Sequence, residues 1–172
     1  MDLSILSQNK VSVMTLDEKY LPTAIVLPYE GHARQSKLMH MQVAMHDEIY
    51  IELCTQIIKQ KISNQSRALS IMDMDGSEVV DRYVDNVTID NVDIMEALAA
   101  KEYFSYYHEG LNRRSDDPIN SRLNYGYAIV RSSIARSLVA AGFHPTFGIH
   151  HDSQLNAFNL ADDLIEPYRA IV

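Results

Sequence analysis

The spacing of hydrophobic and polar positions in this 172-residue chain changes near residue 31. Before that point, Lys10–Leu16 alternates roughly between apolar and polar residues, and Thr23–Leu27 is a short apolar run. This alternation, together with the β-branched composition, predicts two strands joined by a turn over residues 17–22. Because two strands alone are only marginally stable, the pattern indicates the end of a small β domain.

Beyond residue 31 the apolar positions recur every three or four residues, which is typical of helices. Ile51, Cys54, Ile58 and Ile62 form one such apolar stripe. A cap followed by proline at 117–118 predicts a helix start, and Gly142 predicts its end. The predicted helices cover residues 36–45, 47–69, 75–86, 93–107, 118–141 and the segment from Asn156 to Pro167.

The two patterns together predict a mostly α protein with two parts. Residues 1–30 are interpreted as the C-terminal remnant of a β domain with a linker at 28–31, and residues 31–172 as an α-helical domain. The last helix meets Pro167, which should end or kink it. The chain then stops at Val172 without a finishing signal, and we interpret this as a domain truncated at its C-terminus.

Composition narrows the class of protein. The chain is 47% hydrophobic and 22% charged, which is typical of a globular domain, and no apolar run has the length of a membrane span. The first residues lack the basic and apolar segments of a signal peptide. The single cysteine, Cys54, excludes an internal disulfide and predicts a buried thiol in a reducing compartment. We therefore expect a cytoplasmic protein.

The net charge of −8 argues against a general nucleic-acid binder, but the charge is uneven. Residues 71–109 carry two basic and ten acidic side chains, whereas residues 110–140 carry five basic and two acidic ones. Acidic clusters attract divalent cations, and arginines contact phosphates. The candidate phosphate contacts are therefore Arg113, Arg114, Arg122, Arg131 and Arg136. Charge alone favours the simpler interpretation, a solvated acidic surface beside an arginine-rich helix.

Three places carry candidate chemistry. Glu96 lies beside small residues, although its spacing also fits a capping box with Asp93. His150 and His151 follow a glycine in a connector, where imidazole ligands suit Mn²⁺, although a polar surface loop is equally compatible. The third place is the acidic segment near the C-terminus.

In that segment Glu166 follows Asp163 by three residues and Asp162 by four, so either pair can share one helix flank. Two carboxylates at this distance repel each other unless a cation or a proton lies between them. The alternative is an exposed face with an intrahelical pair between Glu166 and Arg169.

Five sequence runs in a fixed order resemble the CRISPR-associated protein one family, the catalytic subunit of the CRISPR adaptation complex. The resemblance is closest to members from type II systems. The runs are Lys59–Gln65; Glu96–Phe104; Asn120 with Leu123–Tyr127; Gly148–His151; and Leu160–Arg169.

The resemblance implies a metal triad, which residue by residue falls on Glu96, His151 and Glu166, with Asp163 as a further acidic position. It implies a helical catalytic domain that holds Mn²⁺ or Mg²⁺ and acts as a DNA endonuclease and integrase in spacer acquisition, an antiviral function. The expected partners are double-stranded DNA, as prespacer and CRISPR repeat, and the second adaptation subunit. A homodimer is expected for the intact protein, and no association with a membrane is expected.

Two alternatives stay open at this point. The missing β domain and C-terminal helices favour a non-catalytic remnant that acts at most as a partner-binding helical module, and in either case we expect inefficient integration by this chain alone. A helical metal phosphohydrolase that uses His46–Asp47 and His151–Asp152 is the second alternative, and substitution of Asp47 separates it from the integrase.

Overall fold

A computed structural model describes residues 2–16, 18, 22–26, 28, 35–108 and 118–172. Its elements, in chain order, are helix α1 (Leu3–Gln8), strands β1 (Val13–Leu16) and β2 (Pro22–Val26), and helices α2 (Gln35–Val43), α3 (Asp47–Ile71), α4 (Ser77–Asn86), α5 (Val92–Tyr107), α6 (Pro118–Ala140) and α7 (Asn159–Ile165), followed by a 3-10 turn at Glu166–Tyr168. The predicted mostly α fold is therefore confirmed.

The predicted strand pair is present. β1 and β2 are antiparallel, with Val13 opposite Val26 and an irregularity near Leu16. β1 begins three residues later than predicted because Lys10 (φ 57°) ends α1, a helix the sequence pattern did not predict. Most of the predicted turn at 17–22 and of the linker at 28–31 lies outside the described residues.

Helix α3 is the centre of the fold. It packs against α4, α5 and the 3-10 turn, and its apolar stripe supplies Cys54, Ile58 and Ile62 to the main core. A second core joins α6 to α7 through Ala135, Leu138, Leu160 and Ala161. Ile149, in the loop before α7, packs against both cores and so anchors that loop between them.

Helix α6 follows its predicted boundaries closely. Pro118 is its first residue, while the proposed cap at Asp117 lies outside the described residues. At the other end, Gly142 adopts φ 89°, and the amides of Gly142 and Phe143 donate to the carbonyls of Val139 and Leu138. This is the Schellman arrangement that favours glycine.

Two predicted helix starts were wrong. Helix α5 begins at Val92, so Asp93 lies inside the first turn, and the capping residue Asn91 makes no side-chain cap hydrogen bond. The capping box of Asp93 with Glu96 is therefore not formed. Helix α7 begins at Asn159 because Asn156 uses its side-chain oxygen to accept from the amide of Phe158, forming a turn before the helix.

Pro167 ends α7 as predicted, and the chain tightens into the 3-10 turn. Pro167 has no amide hydrogen to donate to the Asp163 carbonyl. The amide of Glu166 donates to that carbonyl instead. Among the described residues, no helix is both long and apolar enough to cross a bilayer.

Candidate functional site

The three predicted site residues come from three separate elements and meet at one cavity. Glu96 lies on α5, His151 in the loop before α7, and Glu166 at the start of the 3-10 turn. All three line a cavity of about 100 Å³, together with Cys54, Ile57, Ile58, His150 and Asp163. The long α3 forms the apolar wall, and this arrangement places an imidazole and carboxylates around a small space.

The orientation of His151 is set by Asp163. The Asp163 carboxylate is 2% exposed and lies 2.7 Å from Nδ1 of the His151 ring. It also accepts from the backbone amides of His151 (3.0 Å), His150 (3.2 Å) and Ile149. Because an ionised carboxylate only accepts, Nδ1 carries the hydrogen and Nε2 is left for another partner.

The same contacts shift the pKa of both groups. Burial alone raises the pKa of the Asp163 carboxyl, but hydrogen bonds from the His151 ring and the three backbone amides outweigh it and hold that pKa below its usual value. The hydrogen bond to Asp163 raises the pKa of the His151 imidazole, with further help from the charges of Asp163, Asp162 and Glu166, against the opposing effect of burial. Asp163 is therefore the ionised member of the pair.

Gly148 allows the loop to approach this carboxylate. A Cβ at this position would lie 2.1 Å from the His151 carbonyl oxygen, 2.8 Å from Asn159 Cβ and 2.9 Å from Asp163 Oδ2. No side chain fits at those distances, so glycine is required for the backbone amides to surround Asp163. This explains in physical terms why the loop begins with glycine.

Glu96 and Glu166 share a cation from the protein itself. The Lys61 ammonium donates to Glu166 Oε2 at 2.6 Å and to Glu96 Oε1. The side chains of Lys61 and Glu166 are each 9% exposed, and that of Glu96 is 25% exposed. No role is expected for Lys61 from the sequence alone, although Lys61 and Gln65 fall on the apolar stripe of Ile58 and Ile62, which is an unusual position for polar side chains.

Arg169 holds the second oxygen of Glu166. Its Nε donates to Glu166 Oε1 at 2.7 Å, and its guanidinium carbon lies 4.9 Å from the centre of the Tyr127 ring. The predicted pair between Glu166 and Arg169 is thus present, but Glu166 is buried rather than on an exposed face. Both carboxylate oxygens of Glu166 are engaged by cationic side chains.

Of the two pairs that could share a helix flank, Asp163 and Glu166 line the same cavity, whereas Asp162 does not line it. Asp162 pairs with Arg131, whose Nη2 lies 2.7 Å from Asp162 Oδ2. Asp163 turns to the loop and His151, and Glu166 turns to Lys61. Each of the three carboxylates thus meets a different donor: Arg131 on α6, the loop at 149–151, and Lys61 on α3.

Two other sequence predictions take a definite place. His150 lines the cavity, but its side chain is 45% exposed and Nε2 lies 3.5 Å from Asp93 Oδ1. Arg131, considered as a phosphate contact, is committed to Asp162 and to Asn156 at 3.0 Å. Arg122 and Arg136 are exposed on α6, while the arginines at 113–114 lie outside the described residues.

The phosphohydrolase alternative loses its geometric support. The carboxylate partner of His151 is Asp163, whereas Asp152 is exposed. His46 and Asp47 are exposed at the start of α3, and neither lines the cavity of His151. The two His-Asp pairs of that hypothesis do not face one space.

The donor set of the cavity fits a divalent metal chemically. Two carboxylates and an imidazole with a free Nε2 suit Mn²⁺ or Mg²⁺, and a carboxylate behind the histidine is a common support in metal sites. The ammonium of Lys61 already stands in as the cation between Glu96 and Glu166. In the part of the chain that the structure describes, no three such side chains are grouped closely enough to hold an ion as they stand.

Two larger spaces adjoin the small cavity. One, of about 280 Å³, is lined by Glu96 and Glu166 from the other side, together with Lys61, Gln65, Ala100, Tyr103, Phe104, Tyr127 and Arg169. The other is an open groove of about 770 Å³ along α6 that reaches His151 and Arg169. The candidate site therefore shares its carboxylates with the first space and His151 with the second.

The cavity also changes the Cys54 thiol. Cys54 is 6% exposed, as predicted for a buried thiol. Burial raises its pKa to about 11, with contributions from the negative charges of Asp93, Asp163 and Glu96. Burial likewise raises the pKa of Tyr103, which lines the adjoining space.

Comparison with known proteins gives a consistent family. The family model described as "CRISPR associated protein Cas1" matches residues 3–172. A CRISPR-associated endonuclease Cas1 from Neisseria meningitidis serogroup C is 34% identical over 174 residues, covering 98% of this chain and 56% of the relative. The chain thus spans about half the length of the curated relatives it matches.

Two solved structures share the fold. A casposase bound to integration product superposes with a TM-score of 0.76 at 21% identity, covering 98% of this chain and 53% of that one. A chain of a partial Cas6-RT-Cas1–Cas2 complex gives a TM-score of 0.72 at 22% identity, covering 97% and 57%. At 21–22% sequence identity, this similarity shows a shared fold and nothing more specific.

Proposed function

The chain belongs to the family of CRISPR associated protein Cas1, and from that premise we propose that it is the catalytic part of a metal-dependent DNA endonuclease and integrase of CRISPR adaptation. One observation carries the proposal: Glu96, His151 and Glu166, drawn from three elements, line a single cavity. The curated relatives at this level of similarity are named endonucleases.

In this proposal Glu96 and Glu166 supply carboxylate oxygens and His151 supplies Nε2 to one Mn²⁺ or Mg²⁺. The bound ion polarises a DNA phosphodiester and stabilises charge on the attacking and leaving oxygens. Asp163 keeps the His151 ring in the tautomer with hydrogen on Nδ1 and fixes its direction. Arg169 and Lys61 restrain the carboxylates.

The proposed substrates are double-stranded DNA as prespacer and CRISPR repeat. A 3′-hydroxyl attacks a phosphodiester of the repeat, a new phosphorus–oxygen bond forms, and the old 3′-oxygen leaves with a proton. The open groove along α6 that reaches His151 supports access of a DNA backbone to this position. The solved casposase of similar fold, bound to integration product, supports DNA as the ligand.

The proposed protein partner is the second adaptation subunit. Its support is the solved complex of similar fold that contains Cas1 and Cas2. The homodimer and the cytoplasmic location stay predictions of the sequence analysis.

The test is strand transfer by the purified chain, using a labelled duplex with a free 3′-hydroxyl and a plasmid that carries a repeat. We expect joined product that requires Mn²⁺ and falls at least about 100-fold in Glu166→Gln, since the buried carboxylate touches the reacting centre. Glu78→Gln, an exposed carboxylate on α4, is the matched control and should keep wild-type rates.

Product formed equally well with chelator present, or by Glu166→Gln, would contradict the proposal. A folded wild-type chain that binds Mn²⁺ but neither cuts nor joins DNA would favour the alternative, a partner-binding helical module without catalysis.

A further inference from the structure

Lys61 lies where the two carboxylates of the proposed metal site approach each other. Its ammonium donates to Glu166 Oε2 at 2.6 Å and to Glu96 Oε1, from within α3. The side chains of Lys61 and Glu166 are each 9% exposed, so water screens the charges of this pair little. Together with the partly exposed Glu96, they form a triad of two carboxylates and one ammonium.

A positive charge at this point stabilises the two carboxylates next to each other. Two ionised carboxylates that line one cavity repel each other strongly in a medium of low polarity, and a positive charge between them removes that cost. Lysine is the side chain suited to a reversible role here, because it carries a compact charge on a flexible stem. An arginine would hold both carboxylates in a planar, rigid fork.

The neighbouring space offers the ammonium a second position. Gln65 follows Lys61 by four residues on α3, so the two side chains are neighbours on one helix face. Gln65 is 3% exposed, and among the residues that the structure describes its Oε1 is a buried acceptor without a hydrogen-bond partner. Both residues line the space of about 280 Å³ on the far side of the acidic pair.

A buried acceptor without a donor is costly and uncommon in folded proteins. Of the side chains three or four positions from Gln65 on α3, only that of Lys61 carries a hydrogen-bond donor, and both residues line the adjoining space. The Lys61 ammonium thus has two possible hydrogen-bonding positions, one between the carboxylates and one beside the Gln65 oxygen.

We infer that Lys61 is an internal counter-cation that holds Glu96 and Glu166 together in the metal-free protein, and that a divalent cation displaces it toward Gln65. Lys61 is a positioning residue in this scheme. The inference rests on the proposed function, because it takes these carboxylates as the metal ligands. It also explains why the donor set fits a metal chemically although, within the described part of the chain, no three ligands are grouped closely enough to hold one.

The experiment compares Mn²⁺ affinity by calorimetry with the melting temperature of the metal-free protein, for wild type and Lys61→Gln. We expect the variant to melt at a lower temperature without metal and to bind Mn²⁺ at least about tenfold more tightly, since the ion has no ammonium to displace. Lys101→Gln, an exposed lysine on α5, should change neither quantity.

Gln65→Met tests the second position. It is expected to weaken Mn²⁺ binding several-fold in the wild-type background and to have no effect in the Lys61→Gln background. Equal effects in both backgrounds would show that Gln65 acts independently of Lys61.

A variant with wild-type or weaker Mn²⁺ affinity would overturn the inference while leaving the proposed metal site intact. Binding by Lys61→Gln but not by wild type would support it in its strongest form. Binding by neither folded protein would overturn both proposals. If Lys61→Gln does not fold, Lys61→Arg keeps the charge and should bind Mn²⁺ more weakly than wild type, and unchanged affinity would contradict the inference.

Discussion

The site has two arms that are held in different ways. In the histidine arm, the loop at 148–151 surrounds Asp163 with three backbone amides and one imidazole. In the carboxylate arm, Glu96 and Glu166 are held by the Lys61 ammonium, a flexible charged group. The first arm is fixed by the backbone, and the second is fixed by a cation that another cation can replace.

The two arms differ in what fixes the positions of their side chains. Backbone amides cannot move away without unfolding the loop, so the direction of the His151 ring is set when the chain folds. The spacing of Glu96 and Glu166 depends on which positive charge lies between them. Mutations should therefore cost more stability in the histidine arm than in the carboxylate arm.

Asp163→Ala should have the largest effect. It leaves the amides of residues 149–151 without an acceptor in a buried place, and we expect a loss of about 3–5 kcal/mol in the free energy of unfolding. Urea unfolding at neutral pH measures it, with the exposed Asp152→Ala as control. A loss similar to that of Asp152→Ala would contradict the view that the backbone amides around Asp163 fix the histidine arm.

The pH dependence sharpens this prediction. Because the pKa of folded Asp163 lies below its ordinary value of 3.8, its contribution to stability is present above that value and is lost as the pH falls through the folded pKa. The stability gap between wild type and Asp163→Asn should therefore narrow on acidification.

Gly148→Ala should come next. Its Cβ would meet the His151 carbonyl oxygen at 2.1 Å, so the loop must shift away from Asp163, at an expected cost of about 2–3 kcal/mol. Gly142→Ala is the comparison: its φ of 89° gives strain at a helix end, for a loss of about 1 kcal/mol. Thermal unfolding of both variants measures the difference, and the reverse order would show that crowding at 148 is relieved easily.

Glu166→Gln should cost less, about 1–3 kcal/mol, because it removes one charged hydrogen-bond acceptor while Lys61 keeps Glu96 as its anionic partner. The amide retains an acceptor oxygen for Arg169 or Lys61. Urea unfolding against the exposed Glu78→Gln checks it. A loss as large as that of Asp163→Ala would mean that the two arms are equally rigid.

The smallest effect concerns Cys54, which lies beside both arms. Its pKa of about 11, against 9.0 for the free thiol, lowers the thiolate fraction at pH 8 by about 100-fold. Iodoacetamide should therefore react at least that much more slowly with the folded chain than with the chain in urea. Equal rates would mean that the cavity is open to water and reagent.

The fold was largely predictable because its long helices carry clear local signals. The stripe of α3, Pro118 at the start of α6 and Gly142 at its end are all readable from neighbouring residues. Helix α1 was missed because six residues without a buried side chain leave almost no periodic signal, although Asp2 does cap it. The start of α7 was misplaced because Asn156 forms a turn instead of a helix.

The site was predictable only in part. Glu96, His151 and Glu166 were assigned through the family resemblance, since spacing alone left each with an ordinary alternative. The bond of Asp163 to His151 depends on a loop folding back onto α7, and the bond of Lys61 to both carboxylates joins α3 to α5 and to the 3-10 turn. Such contacts arise from tertiary packing, which residue spacing does not encode.

We propose that Glu96, His151 and Glu166 bind one divalent cation together. The most direct measurement is calorimetric titration of Mn²⁺ into the wild-type chain and into Glu96→Ala, His151→Ala and Glu166→Ala, with circular dichroism to verify folding. We predict one ion per wild-type chain and loss of binding in all three variants. A well-folded wild-type chain that binds no Mn²⁺, or variants that bind it as wild type does, would contradict the account.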